Sequence, residues 1–168
     1  SVGGDDYLNV RHQSESASNV VLALELEESA TTARPLETVG YLAIEPGSGL
    51  WSGLFFEVNK TAAVVTDVWN THSFDNVYLD PPALLSNLAT YNGTNNSNLR
   101  YNNLTASNVQ FKASEDTTFD TEVLHLSPES VAYLAISGSG PVTAVAPITP
   151  PQVASIVRDG GDDQYDQL

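Results

Sequence analysis

The stretch 129-ESVAYLAISGSG-140 decides the fold, because a close copy of it occurs earlier in the chain. That copy is 37-ETVGYLAIEPGSG-49, and the two share the pattern E-[TS]-V-[GA]-Y-L-A-I followed by a Gly-Ser-Gly turn. Valine, tyrosine and isoleucine beside a glycine-rich turn are typical of a short β-strand that ends in a tight connection. Two copies of one strand-forming motif predict an internal repeat.

A second pair of segments indicates how long the repeat is. The segment 11-RHQSESASNV-20 is similar to 100-RYNNLTASNV-109, and the letters ASNV are identical. The arginines that open these segments lie 89 positions apart, and the glutamates that open the first pair lie 92 positions apart. One unit of the repeat is therefore predicted to span about 90 residues.

The tail of the chain carries a third, partial copy. The segment 149-TPPQVASIVRDGG-161 is similar to 80-DPPALLSNLATYNG-93, since each has two prolines, an apolar run and a glycine turn. On this alignment residues 45–136 form one complete unit, residues 1–44 hold the later half of a second unit, and residues 137–168 hold a shortened earlier half. The two ends therefore complement each other, either within one chain or between two chains.

Composition and periodicity predict an all-β chain, with an antiparallel β-sandwich of about 90 residues in each unit. Strand formers are abundant, whereas Lys and Arg together number 6 and Met is absent. Short apolar or alternating runs recur between turn residues, as is usual in β-sandwiches. The predicted strands are 20–28, 38–45, 54–58, 62–69, 83–91, 108–114, 122–126 and 130–137.

A half unit on its own would expose apolar strands and unpaired strand edges. Two or three such strands would forfeit on the order of 10–20 kcal/mol of burial. We expect a neighbouring copy of the chain to cover them, so that head-to-tail contacts build a helical filament; closure within one chain is the alternative. The residues expected at this assembly interface are Val20, Leu22, Leu24, Tyr41, Leu42, Ile44, Val153, Ile156 and Leu168.

The charge of the chain excludes several classes of partner. The net charge is −15, from 21 acidic and 6 basic residues. Six scattered cations cannot form the basic patch that binds nucleic acid or an anionic membrane. No apolar run is long enough to cross a bilayer, and without cysteine neither a disulfide nor a thiolate metal site can form. We therefore expect no nucleic acid partner and no membrane span.

Four sequons predict an extracellular protein, secreted or on the cell surface, that carries N-linked glycans. Asn59, Asn92, Asn95 and Asn103 each begin an N-x-[ST] triplet without proline. The last three lie in 91–105, which is predicted to be an exposed turn followed by a short strand. Asn92 and Asn103 are the expected carriers, because the turn residues around them leave their side chains accessible.

The sequence carries no catalytic signature, and we expect no enzymatic activity. His12, His72 and His125 lie in separate segments, and neither HExxH nor GxSxG occurs. His125 is expected to pair with a carboxylate or with solvent at a strand end. Trp51, Trp69 and Tyr91 could stack against a sugar, but aromatic residues in strands more often fill the core.

Acidic residues recur at similar places in the two copies. Paired carboxylates can hydrolyse a glycoside, but recurrence within a repeat favours a surface or strand-end role. The groups are Glu25, Glu27 and Glu28 in one copy and Glu115, Asp116, Asp120 and Glu122 in the other. The two GGDD turns are candidate calcium sites that lack a spaced ligand ladder; they contain Asp5, Asp6, Asp162 and Asp163. No other cofactor is predicted.

Four segments resemble the tandem repeats of secreted microbial proteins that are similar to H-type lectin β-sandwiches. They are PPALLSNLATYNG, LRYNNLTASNVQF, SEDTTFDTEVLHLSPESVAYLAI and ETVGYLAI, and the resemblance covers most of 37–136 and part of 8–44. The resemblance implies a six- or seven-stranded extracellular sandwich and assigns no sugar-binding residue. The split unit and the dense sequons also resemble subunits of extracellular microbial glycoprotein fibrils. The two functions implied are a structural fibril subunit and, as the alternative, a secreted carbohydrate-binding adhesin module.

We expect protein purified from its native source to be heavier than its 18.0 kDa polypeptide, because glycans at Asn92 and Asn103 add mass. Intact mass spectrometry should show that enzymatic removal of N-glycans restores the polypeptide mass. Asn92→Gln and Asn103→Gln should each remove one increment, whereas Asn108→Gln, outside any sequon, should remove none. A native protein at the bare polypeptide mass would contradict the prediction.

Overall fold

The computed structural model describes residues 8–30, 37–93, 95–138 and 155–158. Its strands are β1 (Leu8–Glu15), β2 (Val20–Leu26), β3 (Gly47–Trp51), β4 (Leu54–Lys60), β5 (Asn70–Ser73), β6 (Ala83–Leu88), β7 (Ser97–Asn102), β8 (Asn108–Glu115), β9 (Val131–Ile136) and β10 (Ser155–Arg158). These residues include no helix, and hence none that could cross a bilayer. All sheet pairs except β2–β10 are antiparallel. The all-β, antiparallel prediction is confirmed.

Seven of the strands form two antiparallel sheets. One sheet has the order β3-β4-β9-β6, and the other has the order β5-β8-β7. β9 comes from the ESVAYLAI motif and lies between two neighbours, with Leu134 opposite Val58 on β4 and opposite Leu85 on β6. The motif that is repeated in the sequence therefore builds the middle of the larger sheet.

The hydrophobic core lies between these two sheets. Val131, Tyr133 and Ala135 of β9 are at most 3% exposed, and from the other sheet Val109 and Phe111 of β8 are fully buried. Alternate residues of a strand share one face, which is why every second side chain of β8 and β9 enters the core. Val65, Phe74, Tyr78 and Leu88 complete the buried cluster. This packing is compatible with the predicted sandwich.

The first hairpin, β1–β2, repeats the register of the hairpin β7–β8. Arg11 lies opposite Ala23, and Arg100 lies opposite Lys112. The same shift of 89 positions relates five consecutive residue pairs of the two hairpins, before a bulge in β1 ends the match. A slip by one residue would turn every side chain to the opposite face. The two segments that are similar in sequence therefore form the same local structure.

β2 is buried on both faces, which the sequence pattern does not predict. Leu22 and Leu24 are 6% and 5% exposed, but Ala23 and Glu25 on the other face are fully buried too. The strand lies in the middle of a sheet of order β1-β2-β10, and β10 runs parallel to it. The face of Ala23 and Glu25 is buried because it packs against the unit formed by β3 to β9.

Three predicted strands are absent. Residues 38–45 and 122–126 contain no strand, and residues 62–69 contain only the bridge between Val65 and Glu129. Apolar runs favour strands, but a strand is stable only where a neighbour pairs with it. Residues 38–45 repeat the sequence of β9 without pairing to counterparts of β4 and β6. β3 and β5, by contrast, were not predicted, because they are short and rich in glycine or polar residues.

We expect Phe111→Ala to lower the free energy of unfolding by about 3–5 kcal/mol, because it leaves a cavity between the two sheets. Leu79→Ala is the matched control, since Leu79 is 100% exposed and its truncation should change stability by less than about 0.5 kcal/mol. Urea unfolding followed by circular dichroism measures both. Equal losses in the two variants would contradict the placement of the core.

Candidate functional site

Arg11 is a fully buried cation at the junction between the first hairpin and the seven-stranded unit. Its side chain is 0% exposed. Its Nη2 lies 2.7 Å from Oε1 of Glu129, and its Nη1 lies 3.2 Å from Oε1 of Glu25. Glu25 belongs to the same hairpin, whereas Glu129 lies two residues before the start of β9. The guanidinium therefore links the two parts of the chain through a buried Glu-Arg-Glu arrangement.

Backbone oxygens and an aromatic ring complete the surroundings of Arg11. The guanidinium donates to the carbonyl oxygens of Thr90 at 3.1 Å and Gly93 at 3.4 Å, and it lies 4.3 Å from the centre of the Tyr91 ring. A planar group with five donors can engage this many partners only in a preformed pocket. We call this pocket the Arg11 socket; it consists of Glu25, Glu129, residues 90–93 and Asn95.

Glu129 is the main acceptor of the Arg11 socket. The backbone N–H groups of Asn92 and Gly93 donate to its carboxylate at 2.9 Å, and the Thr90 hydroxyl also donates to it. Burial by itself raises the pKa of a carboxyl group. Hydrogen bonds from His125, Thr90 and Gly93, together with the nearby arginine charge, outweigh that effect and lower the pKa of Glu129 to about 2. The group is therefore ionised at neutral pH.

His125 supplies a second buried cation beside Glu129. Its Nδ1 lies 2.5 Å from Oε1 of Glu115, its Nε2 lies 3.3 Å from Oε1 of Glu129, and its side chain is 2% exposed. Burial lowers the pKa of an imidazole, but the hydrogen bonds to these two carboxylates and their charges raise the pKa of His125 to about 9. The ring is protonated at neutral pH and donates to both. The prediction that His125 pairs with a carboxylate is confirmed, but its placement at a strand end is wrong, because residues 122–126 form no strand.

Gly93 is in contact with both cations of this cluster. Its carbonyl oxygen accepts from Arg11, and a Cβ atom at its position would lie 2.5 Å from Cε1 of His125. No side chain fits there without moving the imidazole. Glycine is therefore required because the loop backbone has to approach the ring closely.

Glu25 is the carboxyl group of the cluster whose ionised form burial disfavours most. Burial raises its pKa to about 7, and the Arg11 charge and its hydrogen bonds only partly oppose this effect. Asn9 Nδ2 lies 3.4 Å from its carboxylate and donates also to the Ser97 carbonyl oxygen, at 2.8 Å. At the outer edge of the junction, Lys60 Nζ lies 2.7 Å from Glu15. The junction therefore consists of a buried ionic centre with polar contacts around it.

The sequons differ in exposure. Asn92 and Asn103 are exposed, whereas Asn59 and Asn95 are half-buried. Asn103 adopts a left-handed backbone conformation with φ of 46° in the connection between β7 and β8. The accessibility of Asn92 and Asn103 fits the sites chosen from the sequence, and their glycosylation stays a prediction.

The residues expected at the assembly interface fall into three groups. Leu22 and Leu24 are buried within the chain, and Leu42 is 65% exposed. Val20, Tyr41 and Ile44 are half-buried, Ile156 lies on β10 opposite Leu22, and Val153 and Leu168 lie outside the described residues.

The other sequence candidates do not form a site. Trp51 contacts Phe56 edge-on at 6.0 Å, Lys112 lies 5.1 Å from the Trp69 ring, and Tyr91 lies under Arg11. His72 lies 3.0 Å from the Tyr133 hydroxyl, away from the Arg11 socket. Among the residues that the structure describes, no three ligands are grouped to hold a metal ion. Asp5, Asp6, Asp162 and Asp163 lie outside the described residues.

The interpretation of the acidic groups needs correction. A surface role was expected for them, but Glu25, Glu115 and Asp116 are buried. The strand-end part of the prediction holds for Glu115, which ends β8. Arg11 and Glu129 were not predicted as site residues, although both are among the charged positions that the repeats share. Charged residues retained in two copies of a repeat were the signal that could have identified the site.

No family model matches the sequence, and no curated protein or solved structure matches it either. The function is therefore argued from the geometry of the chain itself. The resemblance to H-type lectin repeats stays a prediction.

We expect the stability of the protein to fall as the pH rises from about 6.5 to about 9. The pKa of His125 is raised in the folded state, so its contribution is complete below the unfolded value of 6.5 and is lost as the pH passes 9. Glu25 also lowers the stability of the protein as the pH rises from 4.5 to about 7, because its pKa in the folded state is raised too. Thermal unfolding between pH 7 and 9 measures the effect.

The His125→Gln variant should be less stable than the wild type at pH 7. Its thermal stability should also depend much less on pH between 7 and 9. His12→Gln, on the face of β1 opposite Arg11 and paired with Glu15 instead of the buried cluster, is the matched control and should keep the slope. A His125→Gln variant with an unchanged pH profile would show that the buried imidazolium does not cause it.

Proposed function

We propose that the chain is a structural subunit of an extracellular glycoprotein fibril, in which each copy completes the partial unit of its neighbour by strand pairing. The observation that carries this proposal is the shared register of the hairpins β1–β2 and β7–β8. One hairpin belongs to a seven-stranded unit, whereas the other has the same local structure and, within the part of the chain that the structure describes, pairs only with β10.

The segment 39–44 supports the idea that the first unit is incomplete. It corresponds to β9 in sequence, with Leu42 at the position of Leu134. Leu134 is half-buried in the central strand of a sheet, whereas Leu42 lies outside any strand and is 65% exposed. Nearly the same sequence thus forms a strand where both neighbours are present and forms none where they are missing.

The tail of the chain is the natural source of the missing strand. β10 corresponds in sequence to β6, which pairs antiparallel with β9. Within this chain β10 instead pairs parallel with β2. The antiparallel contact between the tail and segment 39–44 is therefore not made in the described chain. Donation of the tail to segment 39–44 of another copy would reproduce it, as in donor-strand complementation.

The positions of the sequons favour the same arrangement. All four lie between Asn59 and Asn103, within the complete unit, and neither 1–44 nor 137–168 contains one. Glycans are bulky and stay on solvent-exposed surfaces. Their absence from both split halves leaves those halves free to pack against another copy.

The chemistry of the buried cluster favours a structural role over catalysis. Arg11, Glu129 and His125 are at most 2% exposed and are bonded to one another. A catalytic group has to reach its substrate, whereas a buried network of paired charges holds elements together. The rings of Trp51 and Trp69 contact different partners, so no sugar-stacking platform supports the adhesin alternative.

Deleting residues 150–168 should yield soluble subunits that do not polymerise, because the donated strand is removed. Adding a peptide of residues 137–168 should cap these subunits without restoring filaments. Negative-stain electron microscopy and sedimentation measure both results. The interface between two copies should bury more than roughly 2,000 Å² of accessible surface, which is typical of obligate complexes.

The matched control replaces residues 150–168 by a scrambled segment of the same composition, which should also prevent polymerisation. Truncated protein that forms filaments of unchanged diameter and rise would overturn the proposed mechanism.

A further inference from the structure

Arg100 occupies the same position in β7–β8 that Arg11 occupies in β1–β2. The facing residues are Lys112 for Arg100 and Ala23 for Arg11, at the common shift of 89 positions. In both hairpins this position lies on the face opposite the core residues, which in β8 are Val109 and Phe111. Arg11 and Arg100 therefore lie on equivalent faces of the two hairpins, opposite the face that carries Val109 and Phe111 in β8.

The two outer faces differ in what covers them. The face of Arg11 packs on the following unit, where Glu129 and the loop around Gly93 receive the guanidinium. Arg100 is exposed, and it forms no ion pair with any described residue. The β7–β8 hairpin thus presents an equivalent cation with no following unit against it.

Glu37 is the sequence counterpart of Glu129, since each opens a copy of the YLAI motif. It is half-buried, and within the described part of the chain it too forms no ion pair. Residues 137–168 contain no glutamate, so the tail cannot supply the counterpart of Glu129. Among the residues that the structure describes, Arg100 therefore has no carboxylate partner and Glu37 has no arginine partner.

We propose that Arg100 of one copy binds Glu37 of the next copy and so reproduces the Arg11–Glu129 contact between chains. This inference rests on the proposed head-to-tail assembly and names the residues that fix its geometry. Each unit then docks on the outer hairpin face of the preceding unit in the same way, inside a chain and across chains. Repetition of one heterologous contact generates a helical filament.

The intermolecular pair differs from the internal one in one respect. Glu25, the second carboxylate at Arg11, corresponds to Ser114 beside Arg100. Glu37 alone therefore neutralises Arg100, which makes assembly depend strongly on this single carboxylate. Because the chain carries a net charge of −15, a specific cation–carboxylate contact also offsets general repulsion between copies.

The test uses charge reversal in the full-length chain. Arg100→Glu and Glu37→Arg should each raise the critical concentration for filament formation by about tenfold or more. Leu79→Glu is the control for added negative charge, because Leu79 is 100% exposed and lies outside the β7–β8 hairpin; it should change the critical concentration by less than about threefold. Circular dichroism melts check that every variant is folded.

Mixing the two charge-reversal variants distinguishes contacts between chains from contacts within one chain. In an alternating filament every junction joins opposite charges, so an equimolar mixture should polymerise near the wild-type critical concentration. The double variant, which carries both Arg100→Glu and Glu37→Arg, should also polymerise near the wild-type critical concentration without any partner variant. Rescue in the double variant without rescue in the mixture would place the pair inside one chain and overturn the inference.

Two further results separate this inference from the proposed function. Wild-type assembly that Arg100→Glu leaves unchanged, while deletion of 150–168 abolishes it, would overturn the Arg100–Glu37 contact alone. Wild-type protein that stays monomeric at every concentration would overturn both.

Discussion

Neutralisation of Arg11 is the constraint on which the arrangement of the first hairpin depends. A guanidinium that is fully buried needs carboxylates and carbonyl oxygens around it, since removing one partner of a buried pair costs about 3–5 kcal/mol. Glu25 comes from the same hairpin, but Glu129 and the carbonyl oxygens come from the following unit. The hairpin therefore cannot separate from that unit without exposing the Arg11 guanidinium or leaving it buried without Glu129. An apolar contact would hold the hairpin equally well but would tolerate sliding, whereas these hydrogen bonds fix one position.

The same cluster explains why the loop after β6 has its sequence. Thr90, Asn92 and Gly93 donate to Glu129, while Gly93 also accepts from Arg11 and leaves room for the His125 ring. Two cations and their carboxylates neutralise one another inside a strongly acidic chain. Burying this mixture stabilises the junction only because nearly every member has a partner of opposite charge.

The YLAI motif carries a second buried polar contact. The Tyr133 hydroxyl donates to Glu57 at 2.5 Å, and burial together with that carboxylate raises the pKa of Tyr133. The glutamate and the tyrosine of E-S-V-A-Y-L-A-I are thus both anchored by ionic or hydrogen-bonded partners, while Val131 and Ala135 fill the core. In the proposed assembly, Glu37 and Tyr41 would meet equivalent surroundings only after another copy of the chain is bound.

The sequence by itself determined the all-β class, the repeat and the strands that have a clear alternating pattern or an apolar run, such as β8 in the first case and β4 and β9 in the second. It also determined that Arg11 and Arg100 are equivalent, because short-range register follows from local pattern and turn spacing. Only the tertiary structure decided that residues 38–45 form no strand, that Glu25 is buried, and that Glu129 receives Arg11. Those outcomes depend on which partner lies alongside a segment, and residues 118 positions apart are brought together by packing and not by any local preference of the chain.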